Sequence, residues 1–185
     1  MFYGPCSPSS IIYRKGGVEM SESILNGKKI LAVDDEPDVL AVLEEEIMDA
    51  CPNCSLDKAT TYESAAKLIE SKPYDVVILD IMGVRGFDLL ELAVKKDLKV
   101  AMLTAHALSP EALKKSIEMK ARAYLPKEKL GEVVPFLEDM LKYDYESGWK
   151  RLFDKLYDFF TDKFESDWEK KTGAPWQEWV GKSGV

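Results

Sequence analysis

Histidine is nearly missing from this chain: His106 is the only one in 185 residues, and cysteine is scarce at three, Cys6, Cys51 and Cys54. A zinc centre takes about four nitrogen or sulfur ligands, so Cys51-Pro-Asn-Cys54, with no second pair, does not make one within the chain. Nor do three cysteines make a disulfide framework in a chain able to bury its own core. The motif reads as two small residues in a helix-to-strand turn, with reduced thiols; a redox pair or a metal shared between molecules is the alternative. Positive charge is also short, since 25 Lys and Arg against 33 Asp and Glu leave a formal charge of -8. That balance argues against holding nucleic acid or an anionic membrane by bulk attraction. No apolar run approaches the roughly 20 residues of a membrane-spanning helix. Gly, Pro and Ser break up the opening MFYGPCSPSSIIYRKGG, where a secretory signal would be continuous. The expectation is a cytoplasmic protein that binds neither membrane nor nucleic acid. Residues 1–27 read as a tail, and residues 1–19 as a candidate misassigned start, because Arg14-Lys15-Gly16-Gly17 can be encoded by purine-rich codons resembling a ribosome-binding site upstream of the Met20 codon.

What the chain does have is a 46% hydrophobic composition, enough for a core of ordinary size. Three short apolar runs each end in a polar residue: Ile30-Leu31-Ala32-Val33 before Asp34, Val76-Val77-Ile78-Leu79 before Asp80, and Val100-Ala101-Met102-Leu103 before Thr104. Runs without alternation suit strands covered on both faces. Helical periods lie between them. Pro37 to Ala50 carries Val39, Val42, Leu43 and Ile47; Thr60-x-x-Glu63 looks like a capping box; Ser109-Pro110-Glu111 opens another helix. With weaker strands at Ser55–Ala59 and Ala121–Leu125, and a last helix from about Glu132 to Lys142, the order is five βα units. The spacing predicts a doubly wound α/β sheet, whose ligands sit beyond the carboxyl ends of the strands. Asp34, Asp35, Asp80 and Thr104 all fall at such ends. Carboxylates crowded together raise one another's pKa unless a cation offsets them. Oxygen donors of this kind suit Mg²⁺, and Asp80 can then serve as a carboxylate nucleophile.

The segments VDDEP, LDIM, LTA and YLPK, in this order over about residues 28–142, resemble the receiver domain of two-component response regulators. The resemblance implies a flavodoxin-like (CheY-like) five-stranded parallel sheet, (βα)5. It implies that Asp80 is the phosphoacceptor, that Asp34, Asp35, Asp80 and the backbone carbonyl of Met82 hold Mg²⁺, that Thr104 engages the phosphoryl oxygens, and that Lys127 pairs with the phosphoryl group or with Asp80. Tyr124 stands where the family has an aromatic switch residue, or is an ordinary strand aromatic. Met82 and His106 occupy positions that flank the phosphoryl group. His106 lacks a helical histidine box around it, so the phosphoryl donor is expected to be a separate sensor histidine kinase or phosphotransfer protein. Three departures stand out: Gly83 replaces the usual Pro, which would loosen the loop; Lys120-Ala121 replaces Gly-Ala; and Glu128 replaces the Pro that follows the lysine across a cis bond. A non-proline cis bond costs about 2.5 to 4 kcal/mol, so this one is either trans or compensated.

Residues 143–185 read as a helical extension carrying Trp149, Leu152, Phe153, Leu156, Phe159, Phe160, Phe164 and Trp168, with one helix expected over Tyr145–Lys171. Its stripe drifts from a seven-residue repeat, which favours docking on its own receiver or in a homodimer through the last receiver helix over a simple coiled coil. It is short for a DNA-binding output domain, and its charges nearly balance. The function expected is a regulatory phosphoacceptor acting through protein–protein contact. An Mg²⁺-dependent aspartyl-phosphate hydrolase is the enzymatic rival, though Met82 stands where such enzymes need a second Asp. A phosphorylation-independent scaffold and a flavin binder share the fold class; the flavin binder would want a hydroxyl- and glycine-rich first loop in place of VDDEP.

Overall fold

A computed structural model describes residues 23–105, 108–164, 167–171 and 173–183; the suggested start at Met20, Cys6 and His106 lie outside the described residues. Five strands, β1 (Lys29–Val33), β2 (Ser55–Ala59), β3 (Val76–Asp80), β4 (Lys99–Thr104) and β5 (Ala123–Pro126), form one parallel sheet in the order β2-β1-β3-β4-β5. The helices between them are α1 (Pro37–Ala50), α2 (Tyr62–Ser71), α3 (Gly86–Lys95) and α4 (Pro110–Glu118). A 3-10 turn over Lys127–Glu132 leads into α5 (Val133–Lys142). The doubly wound sheet is thus present with all five βα units. Every residue of β3 is buried, as expected of a central parallel strand covered on both faces. Its order reverses beside β1, so the carboxyl ends of β1 and β3 border one crevice.

Local chemistry sets the element ends, sometimes one residue from where the sequence pattern suggests. The α2 cap is Thr61, whose side chain accepts from the Ser64 N–H, and not Thr60. Ser109 caps α4 by accepting from the Ala112 N–H, with Pro110 in the first turn. On α1 the buried stripe is Leu40, Leu43 and Ile47, while Val42 is exposed. At the α1–β2 turn the Cys51 and Cys54 Cα atoms stand 5.5 Å apart and the two sulfurs form a disulfide, which corrects the expectation of reduced thiols there. Residues of a C-x-x-C turn lie within the span that a disulfide needs, so its geometry requires no wider framework.

The extension is not the single helix expected over Tyr145–Lys171. Helix α6 (Tyr145–Phe164) ends at the expected stripe's last Phe, and α7 (Trp168–Lys171) and α8 (Trp176–Ser183) follow. Two residues, Tyr143 and Asp144, join α5 to α6; the Asp144 carboxylate accepts from the Ser147 N–H and so starts the helix. Basic side chains fix the preceding end, because Lys99 donates to the Leu141 carbonyl and Arg122 to that of Tyr143 at 2.6 Å, where the last carbonyls of α5 have no helical partners. Helix α6 packs back on β5 and α5, and α8 packs on α4 and α6. Trp149, Leu152, Phe153, Leu156, Phe160, Phe164 and Trp168 are all buried. The Trp149 indole N–H donates to the Ala121 carbonyl at 3.0 Å, and the Tyr145 hydroxyl to that of Ile117 at 2.7 Å. Burial pushes the Tyr145 hydroxyl's pKa up to about 12. The aromatic stripe is therefore taken up within the chain. Among the described residues no helix is long and apolar enough to cross a membrane.

Candidate functional site

Two strand ends and one turn converge on a single acidic pocket. Asp34 follows β1, Asp80 ends β3, and Lys127 opens the turn after β5. The register that pairs Val33 with Leu79 brings Asp34 beside Asp80. Asp34 is fully buried and Asp80 nearly so, while Asp35 is exposed at the rim. One carboxylate oxygen from each of the three lies within 4.8 Å of the others. The Lys127 ammonium fills the inner side, 2.8 Å from Asp34 Oδ2 and 3.1 Å from Asp80 Oδ1.

The β3–α3 loop holds Asp80 from the other side. The backbone N–H groups of Met82 and Gly83 donate to Asp80 Oδ2 at 2.9 and 3.0 Å. The loop can close because Gly86 sits where a Cβ would meet the Ile81 Cα at 2.8 Å, and because Arg85 takes a left-handed φ of 55°. Gly83, where the family usually has Pro, has its own steric reason: a Cβ there would overlap the Asp35 carboxylate. The Met82 side chain points to solvent at 64% exposure.

Electrostatics set these groups apart from ordinary surface acids. Burial pushes the Asp34 pKa up, and the neighbouring Asp80 charge adds to that, while Lys127 and the Glu36 N–H pull it down. Lys127 is held above the ordinary lysine value: burial works against its charge, but Asp34, Glu36 and Asp80 together outweigh it. Glu36, quoted in the acidic run VDDEP but assigned no role there, is the missed member, since its Oε1 takes the Lys127 ammonium at 2.7 Å.

Thr104, 1% exposed, ends β4 beside the Asp80 strand. Its side chain hydrogen-bonds the Tyr124 phenol, which also accepts from the Ser109 backbone, and burial is the main reason the phenol's pKa is raised. Tyr124 is fully buried, its ring 6.2 Å from that of Phe160 on α6. The peptide bond after Lys127 is trans, as are all described bonds, so Glu128 brings no cis strain. Of the sequence-selected residues, Asp34, Asp80 and Lys127 meet directly, Asp35 lies at the rim with an oxygen within 4.8 Å of the other two carboxylates, Thr104 and Tyr124 form an adjoining pair, and Met82 contributes backbone. Oxygen donors of this type and closeness fit a hard divalent cation, and Asp34's raised pKa shows a carboxylate that further positive charge would relieve.

A family model, "Response regulator receiver domain", matches residues 30–134. A two-component response regulator of rice, ORR21, is 35% identical over 120 residues, covering 60% of this chain and 16% of that protein. A two-component response regulator of Arabidopsis thaliana, ARR18, is 38% identical over 87 residues, or 44% of this chain and 13% of its own length. The chain thus spans less than a fifth of the curated relatives it matches. Among solved structures, the receiver domain of NtrX from Brucella abortus is 27% identical with a TM-score of 0.55, covering 62% of this chain and 99% of that one. A CheY-like receiver domain protein from Methanospirillum hungatei is 25% identical with a TM-score of 0.53, covering 62% and 96%. Neither coverage extends to the whole of this chain, in keeping with an added helical region after the receiver fold.

Proposed function

The chain belongs to the response regulator receiver domain family of two-component systems, and from that premise we propose that it accepts a phosphoryl group on Asp80 from a histidine kinase or phosphotransfer protein. The observation that carries the proposal is the setting of Asp80: one carboxylate oxygen on the Lys127 ammonium, the other on two backbone N–H groups, beside two further acids. In the transfer, an Asp80 oxygen forms a bond to phosphorus while the bond from phosphorus to the donor's imidazole nitrogen breaks. The electron pair stays on that nitrogen, which takes a proton from solvent. Lys127 faces the incoming negative charge, and the Thr104 hydroxyl can donate to a phosphoryl oxygen. Asp34, Asp35, Asp80 and the Met82 carbonyl would hold Mg²⁺, which when bound supplies positive charge to the same oxygens.

For residues 143–185 the role is protein–protein contact rather than DNA binding, because this extension is spent on covering α4, β5 and α5 and its charges nearly balance. A homodimer through α5 and the extension would have to use their outward faces. The role is regulatory, with the phosphoryl group as signal, and the net negative charge suits a cytoplasmic partner surface better than a membrane one. Intact mass after incubation with Mg²⁺ and acetyl phosphate tests this. The native chain is expected to gain one phosphoryl group, Asp80→Asn none, and Asp35→Asn less at equal Mg²⁺. A chain that gains nothing is a scaffold with an idle site, and a gain retained by Asp80→Asn refutes the assignment.

A further inference from the structure

A groove of about 390 Å³ opens on the extension and shares no residue with the acidic pocket. Its walls are Phe153, Asp154 and Tyr157 of α6, Glu169 of α7, and Trp176 and Gln177 at the start of α8. Phe153 and Trp176 stack with their ring centroids 4.1 Å apart, and Tyr157 stands open to solvent at 39% exposure. Glu169 ties the three helices together by accepting from the Trp176 N–H at 3.2 Å and from the Tyr157 hydroxyl at 3.3 Å. Asp154 is exposed, and among the described residues it has no ion-pair partner, Lys150 one turn before it included. We infer that this groove takes an arginine side chain of a partner protein, with the guanidinium on the Asp154 carboxylate and against the rings of Tyr157 and Trp176. This gives a chemistry to the protein–protein role proposed for the extension, and it does not rest on Asp80 accepting a phosphoryl group.

A guanidinium is planar, forked and weakly hydrated, so it can lie on an aromatic ring and meet a carboxylate at the same time; a compact, strongly hydrated ammonium does this less well. The chain uses that arrangement twice for itself. Arg85 lies 4.3 Å from the centre of the Tyr62 ring and 2.6 Å from the Asp88 carboxylate. Arg151 lies 4.5 Å from the centre of the Tyr143 ring and 3.1 Å from that of Asp139. The groove has the rings and the carboxylate of this trio, and no arginine among its walls. Arg151 and Lys155, which flank Asp154 in sequence, are both engaged by Asp139 on α5, which leaves Asp154 to a cation from outside. The field in the groove has the right sign: the Tyr157 hydroxyl's pKa is raised, by burial first, then by the Glu169 charge and hydrogen bond, with the Asp158 charge adding.

The test is titration of the full chain with N-acetyl-arginine amide, without Mg²⁺ or phosphodonor, read by NMR at the tryptophan indole N–H signals. Trp176 is identified by the signal that Trp176→Phe loses. The arginine compound is expected to move the Trp176 signal saturably, and the lysine and uncharged citrulline analogues to bind about three-fold or more weakly. Asp154→Asn, at an exposed position, is expected to weaken the arginine compound about two- to five-fold, the range for exposed charge pairs. Asp162→Asn, which removes an acid of α6 outside the groove, is expected to leave it unchanged. No saturable shift, or equal binding of either analogue, overturns the inference. An equal loss in Asp154→Asn and Asp162→Asn would mean bulk attraction and overturns it as well. Tighter binding of free arginine than of the blocked compound would mark a small-molecule site and overturns the assignment to a partner protein. Phosphorylation of Asp80 is read by mass in a separate experiment, so either reading can fail alone.

Discussion

Replacing Lys127 by Met removes the ammonium that faces Asp34 and Asp80 and leaves an uncharged, slightly shorter side chain. Glu36, the third partner, is 56% exposed and screened by solvent, so its loss of a partner costs little. Asp34 and Asp80, at 0% and 5% side-chain exposure, are different. Leaving a buried charge unpaired costs about 3 to 5 kcal/mol. The folded state can limit that cost by protonating Asp34, whose pKa burial already raises. From the ordinary aspartate value of 3.8, doing so at pH 7 costs about 4.4 kcal/mol at about 1.36 per pH unit. Both routes lead to a loss of about 4 kcal/mol in the absence of Mg²⁺, a large part of the roughly 5 to 15 kcal/mol that stabilises a domain. The pH dependence has a definite sign. A carboxyl whose folded pKa is raised keeps a proton that the unfolded chain releases, so stability falls as pH rises from 3.8 through the folded value. The limit at pH 5 is therefore only about 1.6 kcal/mol. Urea unfolding of native and Lys127→Met chains with chelator, at pH 7 and pH 5, measures both. A deficit below about 1 kcal/mol at pH 7, or one equal at the two pH values, would refute the reasoning.

Thr104→Ala is expected to leave Asp80 phosphorylation by acetyl phosphate detectable but to weaken the response of partner binding to it, since the hydroxyl is not the nucleophile; an unchanged response counts against its role. Trp149→Phe should cost about 1 to 3 kcal/mol by urea unfolding, because it leaves the buried Ala121 carbonyl without its 3.0 Å donor. Without reductant, thiol titration of the unfolded chain should find one reactive cysteine, Cys6, rising to three after reduction; three at the outset would mean that Cys51 and Cys54 are not joined.

The parts of the fold that were legible in the sequence are those written in one continuous stretch. The apolar runs before Asp34, Asp80 and Thr104 mark β1, β3 and β4 to within a residue or two, because a strand covered on both faces has no reason to alternate. Asp34, Asp35 and Asp80 were legible for the same reason: chemistry at strand ends follows from the strands. Boundaries set by a single hydrogen bond were not, as Thr61 in place of Thr60 shows. The buried face of α1 was misjudged because Val42 and Leu40 fit the helical period almost equally well, and only the sheet beneath decides. The Cys51–Cys54 pairing depends on how closely one turn folds, which residue counting does not convey. Least legible was the extension. An aromatic stripe states that something must cover it, but the break after Phe164 and the return along α4 depend on the shape of a surface built from residues far away.

The connection between α5 and α6, only Tyr143 and Asp144, makes the extension a tethered competitor for the face it covers. A segment held by so short a link is present at its seat at an effective concentration of about a millimolar or more. A separate protein at a micromolar level with the same intrinsic affinity would then occupy that face roughly one time in a thousand. Only a much tighter binder could displace it. Weaker partners are left with surfaces that the extension does not reach, and among the described residues the apolar side chains exposed outside the extension include Val42 on α1 at 39% and Met82 at 64%, at the mouth of the acidic pocket itself.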